Sequence, residues 1–330
     1  MSTKAHIPEL DSLRALAVGL VFVQHWNVFG LEHLYTGGWG VRIFFVLSGF
    51  LITGILLKSR EAIERGEPIQ QELKTFYIRR TLRIFPVYYL VLALVSLLAL
   101  PGIREVLHWH VLYGSNILYA MRGWPQTGAH LWSLAVEEQF YLVWPLTMFL
   151  LPRRLIPVTI ALLIAFAPIF RYVVRASGGG HIAAMALTPG CLDALGMGAL
   201  LAFALHTNIN TSKWSLPLLV ASLPLVKIDL ELATALFGAG IINLVVTNSG
   251  SKATGILRLK PLRYLGTISY GLYLYHLFIY QVLAQWVPAF PGKLILYAGA
   301  TIAISALSWE IFEKPILQLK NRFSYRRAYA

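Results

Sequence analysis

Long apolar runs separated by short polar segments cover residues 11–29, 38–57, 83–100, 132–151, 155–174, 188–205, 214–227, 232–248, 264–287 and 293–313. All but the short run 214–227 approach the roughly 20 residues that a helix needs to cross a hydrocarbon core. The pattern predicts an all-α, polytopic integral membrane protein of about ten transmembrane helices, built as one domain over residues 1–330. A transmembrane barrel would instead alternate apolar and polar positions in strands of about ten residues, and that alternation is not present. The segment 58–82 interleaves glutamates with basic residues and predicts a cytoplasmic helix or hairpin. The stretch 101–131 is too polar for a span but rich in aromatics, which predicts a re-entrant or interfacial segment on the outer side. The first run lacks a basic start and a small-residue cleavage site, so it is expected to be retained rather than removed as a signal peptide.

Composition agrees with this environment. Hydrophobic residues make up 57% of the chain and charged residues 13%, against about 25% charged in soluble domains; the mean hydropathy is +0.64. The net charge of +13 invites a nucleic-acid partner, but its distribution argues against one. Most of the 28 Lys and Arg residues fall in alternate polar segments: Lys4, the stretch 58–83, Arg153 and Arg154, Lys213, the stretch 252–263, and the stretch 314–327. Arg104, Arg122, Arg171, Arg175, Lys227 and Lys293 occupy the other side and adjacent span ends. By the positive-inside bias, both termini are cytoplasmic and the protein is a multi-pass protein of the cell inner (plasma) membrane. A single cysteine, Cys191, excludes an internal disulfide.

The polar residues inside the apolar runs are the candidates for chemistry, because ionisable groups are costly there. Arg14 and His25 are eleven positions apart; at about 100° per residue that is three turns plus about 20°, so they share a helix face about 16 Å apart along the axis. One reading makes this face a path for substrate or protons; the other has Arg14 reaching the headgroups and His25 as a packed core histidine. Counting inward from the outer side, His25, Arg42, Glu137 and Glu138 reach similar depths, which predicts an acid/base layer in the outer half. A buried ion-pair network between helices is the alternative. On the inner side, Arg80 and Arg83 share a helix face with Arg79 beside them and Arg14 at the same level. Guanidinium forks pair bidentately with phosphate oxygens, so the cluster suits a phosphate-bearing ligand; lipid headgroups are the competing partner.

These residues sit in segments that resemble the acyltransferase 3 family of membrane-bound acyltransferases. The matching stretches are ELDSLRALAVGLVFVQH, GGWGVRIFFVLSGFLIT, FYIRRTLRIFPVYYL, HLWSLAVEEQFYLVWP, DALGMGALLA, RYLGTISYGLYLYH and FEKP, in family order over about residues 8–316. The resemblance implies ten spans and transfer of an acyl group, acetyl being the commonest, from cytoplasmic acyl-CoA to a hydroxyl of a glycan or glycosylated acceptor on the outer side. By motif it implies that His25 and Glu137 are catalytic and that Arg14, Arg80 and Arg83 serve the acyl-CoA donor. Arg42, Ser133, Glu138, Asp193 and His276 stand as candidates for active-site support. Acyl-CoA is a co-substrate here, with no bound cofactor expected. Two departures stand out: Cys191 occupies the place before Leu192–Asp193–Ala194 where the family often has arginine, and some relatives add a C-terminal hydrolase-like extracytoplasmic domain, which the roughly fifteen residues after FEKP do not supply. The chain is therefore expected to act alone or with a separate extracytoplasmic partner, with membrane lipid around it and no nucleic acid.

The remaining candidates divide less sharply. His276 either lines the path or packs in an aromatic core, and Ser133, one turn before Glu137, either binds substrate or caps its helix. His108 and His110 do not share a helix face and no metal site is expected there. Glu313–Lys314–Pro315 is expected to end the last span, with Glu313 facing the basic cluster. An acyl donor anchored by the arginines would send its arm along the first span past Ala15, Val18 and Val21. A proton-coupled transporter or exporter of a small molecule or glycan would use the same ionisable residues, but the paired repeats or broken helices that mark such proteins are not evident. A glycan-binding scaffold leaves the buried charges unexplained.

Overall fold

The computed structural model describes residues 7–28, 30, 34–286, 292–323 and 325. Lys4, Arg326 and Arg327 of the charge pattern, and the ends of the runs 11–29 and 264–287, lie outside the described residues. Among those described, every regular element is helical. The helices are α1 (Pro8–His25), α2 (Thr36–Glu64), α3 (Ile69–Leu97), α4 (Leu107–Val111), α5 (Ser115–Arg122), α6 (Leu131–Leu150), α7 (Ile156–Ala176) and α8 (Gly180–Ala186). They continue with α9 (Leu192–His206), α10 (Ser215–Leu225), α11 (Leu230–Thr247), α12 (Lys260–Thr267), α13 (Ser269–Trp286), α14 (Lys293–Ser308) and α15 (Lys314–Gln318). Each apolar run therefore contains a helix, and the protein is an all-α polytopic membrane protein. Among the described residues, six helical stretches are long and apolar enough to cross a membrane on those grounds alone. Helices α1, α6 and α13 are of similar length but carry the polar residues described below.

The peripheral helices show which solvent the fold expects. On α7, Val158, Leu162, Phe166, Ile169 and Val173 are exposed in one stripe at three- and four-residue spacing, while Ile160, Ala167 and Arg171 on the opposite face are buried. A stripe of that kind in water is a large unpartnered apolar face; in a bilayer it meets acyl chains. Helix α2 is the interior helix, packed against α1, α6, α9 and α11. Its approach to α9 is backbone to backbone: a Cβ at Gly49 would lie 1.9 Å from the Leu195 carbonyl oxygen, and one at Gly198 would lie 2.0 Å from that of Val46. Small residues permit such contacts where apolar burial gives no drive for helices to associate.

Three segments refine the sequence picture. Segment 58–82 is a helical hairpin, with α2 running on to Glu64 and α3 starting at Ile69. Segment 101–131 carries the short helices α4 and α5 and is folded into the bundle, since His110, Ser115, Asn116 and His130 are at most 1% exposed. The last span does not end at Glu313–Lys314–Pro315. Helix α14 passes through a π-type turn at Trp309–Glu313 directly into α15. Pro315 comes just after the π-type turn; a proline inside a continuous helix removes a backbone hydrogen bond, and the widened turn is where the pairing is rearranged.

Candidate active site

Five helices converge on one cavity of about 110 Å³. Positions Val41, Phe44, Phe45, Ser48 and Ile52 form one face of α2 at helical spacing and make one wall. Arg14 enters from α1, Arg80 and Arg83 from α3, Ser133, Glu137, Glu138 and Tyr141 from α6, and Tyr270 and Tyr273 from α13. The three arginines predicted to cluster thus line one cavity. Arg14 is paired with Asp11, one turn earlier, at 3.0 Å. Arg80 lies over the rings of Phe76 at 5.9 Å and Tyr141 at 6.0 Å, and Arg83 over Trp309 at 5.9 Å. Aromatic faces leave the guanidinium N–H edges available to an anion. Arg79 is turned elsewhere, donating to the carbonyl oxygens of Lys320 (3.1 Å) and Phe323 (2.8 Å).

Glu137 and Glu138 belong to this arginine cavity, not to a layer beside His25. The Ser48 hydroxyl donates to Glu137 Oε1, and the Tyr141 hydroxyl donates to Ser48 Oγ at 2.9 Å. The expected depth fails because α6 begins inside the bundle. His130, just before α6, packs against His276 with ring centroids 4.9 Å apart, and His276 in turn meets His25. Seven residues of helix then carry Glu137 about 10 Å away from the histidines, toward Arg14 and Arg80. One oxygen of Glu138, Oε1, is buried without a hydrogen-bond partner among the described residues.

His25 is the last residue of α1, about 16 Å along that helix from Arg14. It lies beyond the cavity wall, next to the end that carries Ser133 and Tyr273. His25 Nδ1 is 2.7 Å from His276 Nε2, and His276 Nδ1 is 2.6 Å from the Tyr273 carbonyl oxygen. The Tyr273 hydroxyl shares a 2.6 Å hydrogen bond with Ser133 and donates to the His130 carbonyl oxygen at 3.0 Å. Tyr273 therefore joins the two: its hydroxyl meets Ser133 at the cavity end, and its carbonyl oxygen and ring meet the histidines. Ser133 binds Tyr273 and the carbonyl oxygen of His130 rather than capping α6. Val18 and Val21, expected along the donor path, are instead buried in the apolar core and Ala15 is likewise buried, while α2 supplies that wall.

Arg42 and Asp193 stand apart from the cavity, which corrects their expected place. Arg42 follows Val41 by about 100° around α2 and so faces away from the cavity. It pairs with Asp193 at 3.3 Å and donates to the Gly190 carbonyl oxygen at 3.2 Å. Arg171 is fully buried rather than at an outer span end; it pairs with Asp193 at 2.8 Å and Asp229 at 2.7 Å. Two arginines from α2 and α7 thus flank the Asp193 carboxylate, with Cys191 standing where the resemblance led to the expectation of an arginine. This network ties α2, α7 and α9 to the residue that caps α11, since Asp229 Oδ1 also accepts from the Leu232 N–H. Removing its shared carboxylate leaves two buried guanidiniums short of a partner. Asp193→Ala is therefore expected to cost about 3–5 kcal/mol of stability, measured as a lower unfolding midpoint in detergent, with the KM for donor unchanged in the folded fraction.

Ser48, Tyr141, Tyr273 and His130 hold the site together without having been singled out as candidates; the signal each carried is its place in a stretch that bears the family resemblance.

Comparison with known proteins places these elements in a family. A family model described as an acyltransferase domain matches residues 7–310. The chain is 31% identical to "Peptidoglycan O-acetyltransferase OatA" of Listeria monocytogenes over 97% of its own length. It is 29% identical to "Putative peptidoglycan O-acetyltransferase YrhL" of Bacillus subtilis over 98% of its own length. It spans 57% of the length of each of these relatives. No solved structure matches. With a family match across nearly its whole length, the chain belongs to the acyltransferase 3 family.

Proposed function

We propose that the chain is a membrane O-acetyltransferase that moves an acetyl group from cytoplasmic acetyl-CoA to a hydroxyl of a cell-wall glycan, of the peptidoglycan class, on the outer side. The observation that carries this reading is the cavity shared by Arg14, held by Asp11, and by Arg80 and Arg83, which lie over aromatic rings with N–H edges open to an anion; the cavity connects through Tyr273 and Ser133 to His25. The names of the relatives support the acetyl group and the glycan. The basic bias of alternate segments supports a cytoplasmic arginine end and cytoplasmic termini.

The arginines hold the donor phosphates by charge and bidentate geometry. The 16 Å or so from Arg14 to His25 is comparable to an extended pantetheine arm, so the thioester reaches the Ser133 and Tyr273 end while the nucleotide stays at the arginines. His25 takes the proton of the acceptor hydroxyl as its oxygen bonds to the thioester carbonyl carbon. The C–S bond then breaks, and His25 returns the proton to the leaving thiolate of CoA. Transfer is direct, with no acyl-histidine exposed beside water. Glu137, bonded to Ser48 and Tyr141, orders the arginine end instead of exchanging protons with the acceptor. Ser133 orients the reacting end.

Proteoliposomes supplied with radiolabelled acetyl-CoA and a glycan oligosaccharide distinguish this reading from transport. Label is expected in covalent ester linkage on the oligosaccharide. Accumulation of unchanged label inside vesicles, with no ester formed, assigns the chain to the transporter class instead.

A further inference from the structure

Two hydrogen bonds fix where the protons of the histidine pair lie. His276 Nδ1 is 2.6 Å from the Tyr273 carbonyl oxygen, three residues earlier on α13. A carbonyl oxygen can only accept, so that nitrogen carries the proton. A neutral imidazole carries one proton, which leaves His276 Nε2 as an acceptor. His25 Nδ1 lies 2.7 Å from it and must be the donor. The proton of His25 is thus held on Nδ1, and its Nε2 is the bare nitrogen. The two ring planes lie within 7° of each other, consistent with a bond in the plane of both rings.

We propose that His276 is a positioning residue that holds His25 in the Nδ1–H tautomer and aims its Nε2 lone pair at the acceptor hydroxyl. The inference rests on the reading of His25 as the proton acceptor and adds to it the identity of the working nitrogen. His276 suits this task because it is itself locked. It is fully buried, and the His130 ring packs across it at 66° with centroids 4.9 Å apart. His130 is pinned in turn by its own bond from Nε2 to the Leu274 carbonyl oxygen, 3.0 Å long. A ring at a helix end, as His25 is, would otherwise sample both tautomers and several orientations; the bond its other nitrogen makes selects one. His276 itself exchanges no proton with substrate.

The test uses the full chain in nanodiscs with acetyl-CoA and an oligosaccharide acceptor. His276→Phe keeps a flat ring but offers no acceptor, and is expected to lower kcat by about 10²-fold while leaving KM for acetyl-CoA within about twofold. His276→Gln places a side-chain carbonyl where Nε2 was, accepts from His25 Nδ1–H, and is expected to recover activity to within about tenfold of the original. Nitrogen-15 NMR of histidine-labelled protein, with the His25 signal assigned by its loss in His25→Ala, is expected to show a proton on His25 Nδ1. This reading needs no His276 variant to fold. A proton on His25 Nε2 overturns the proposal, as does equal impairment of the Phe and Gln variants or unchanged kcat in His276→Phe. Full activity in His25→Ala strikes the functional reading instead, and the NMR measurement then still decides the tautomer.

Discussion

Replacing His25 with alanine is expected to lower acetyl transfer by about 10²–10⁴-fold, the range over which a positioned acid or base contributes. The loss should fall on kcat, because the arginines that hold the donor lie about 16 Å away along α1 and are untouched. The fold is expected to survive. His25 is partly exposed at the end of α1, and the core beneath it is built from Ala17, Val18 and Val21. Single-turnover transfer of labelled acetyl, together with donor binding measured on the same preparation, checks both statements. Near-normal turnover in His25→Ala ends the catalytic assignment, and an acetylated His25 trapped by rapid quench replaces direct transfer with a covalent route.

The second large effect is expected at the other end of the cavity. The double variant Arg80→Ala/Arg83→Ala removes two charged donors from the cavity. At about 1.5–3 kcal/mol for each hydrogen bond to a charged group, acetyl-CoA affinity should fall at least about 100-fold. Lysine at the same positions keeps the charge but loses the planar fork, so Arg→Lys changes should weaken binding less, and through affinity more than turnover. Titration calorimetry on protein in nanodiscs reads these differences directly. Unchanged affinity in the double alanine variant returns both residues to ordinary inner-leaflet charge contacting lipid headgroups.

How much of this was legible in the sequence follows from what sequence periodicity encodes. Apolar runs of membrane length gave helices at each place, because nearly every helix needs an apolar stretch to span or line the bundle. The arginine cavity was also legible: Arg80 and Arg83 share a face at three-residue spacing, and Arg14 begins its own run near the same level. Depth was the weaker inference. It assumed that α6 starts at the membrane surface, whereas His130 at its head is buried against α13, which moves Glu137 and Glu138 toward the arginines. Direction was weaker still. Arg42 reaches a plausible depth but pairs with Asp193 of α9, which Arg171 of α7 also holds. The pairing of His25 with His276 joins positions 251 residues apart, and no local pattern reports such a contact. The π-type turn at Trp309–Glu313 was hidden for another reason, since Lys314–Pro315 reads equally as a helix end and as the start of a further turn.

One continuous site is expected to bind the donor phosphates at Arg14, Arg80 and Arg83 and to present the thioester to His25. The most direct test of this arrangement is a single-particle structure of the chain in nanodiscs with a non-hydrolysable acetyl-CoA analogue. Phosphate density is expected against the three guanidiniums, with the pantetheine arm running past Ser48 and Glu137 and the carbonyl carbon near Ser133 and Tyr273, within reach of an acceptor hydroxyl bonded to His25 Nε2. Phosphates bound away from these arginines, or an arm that ends remote from His25 with the protein in its transfer-competent state, would contradict this arrangement.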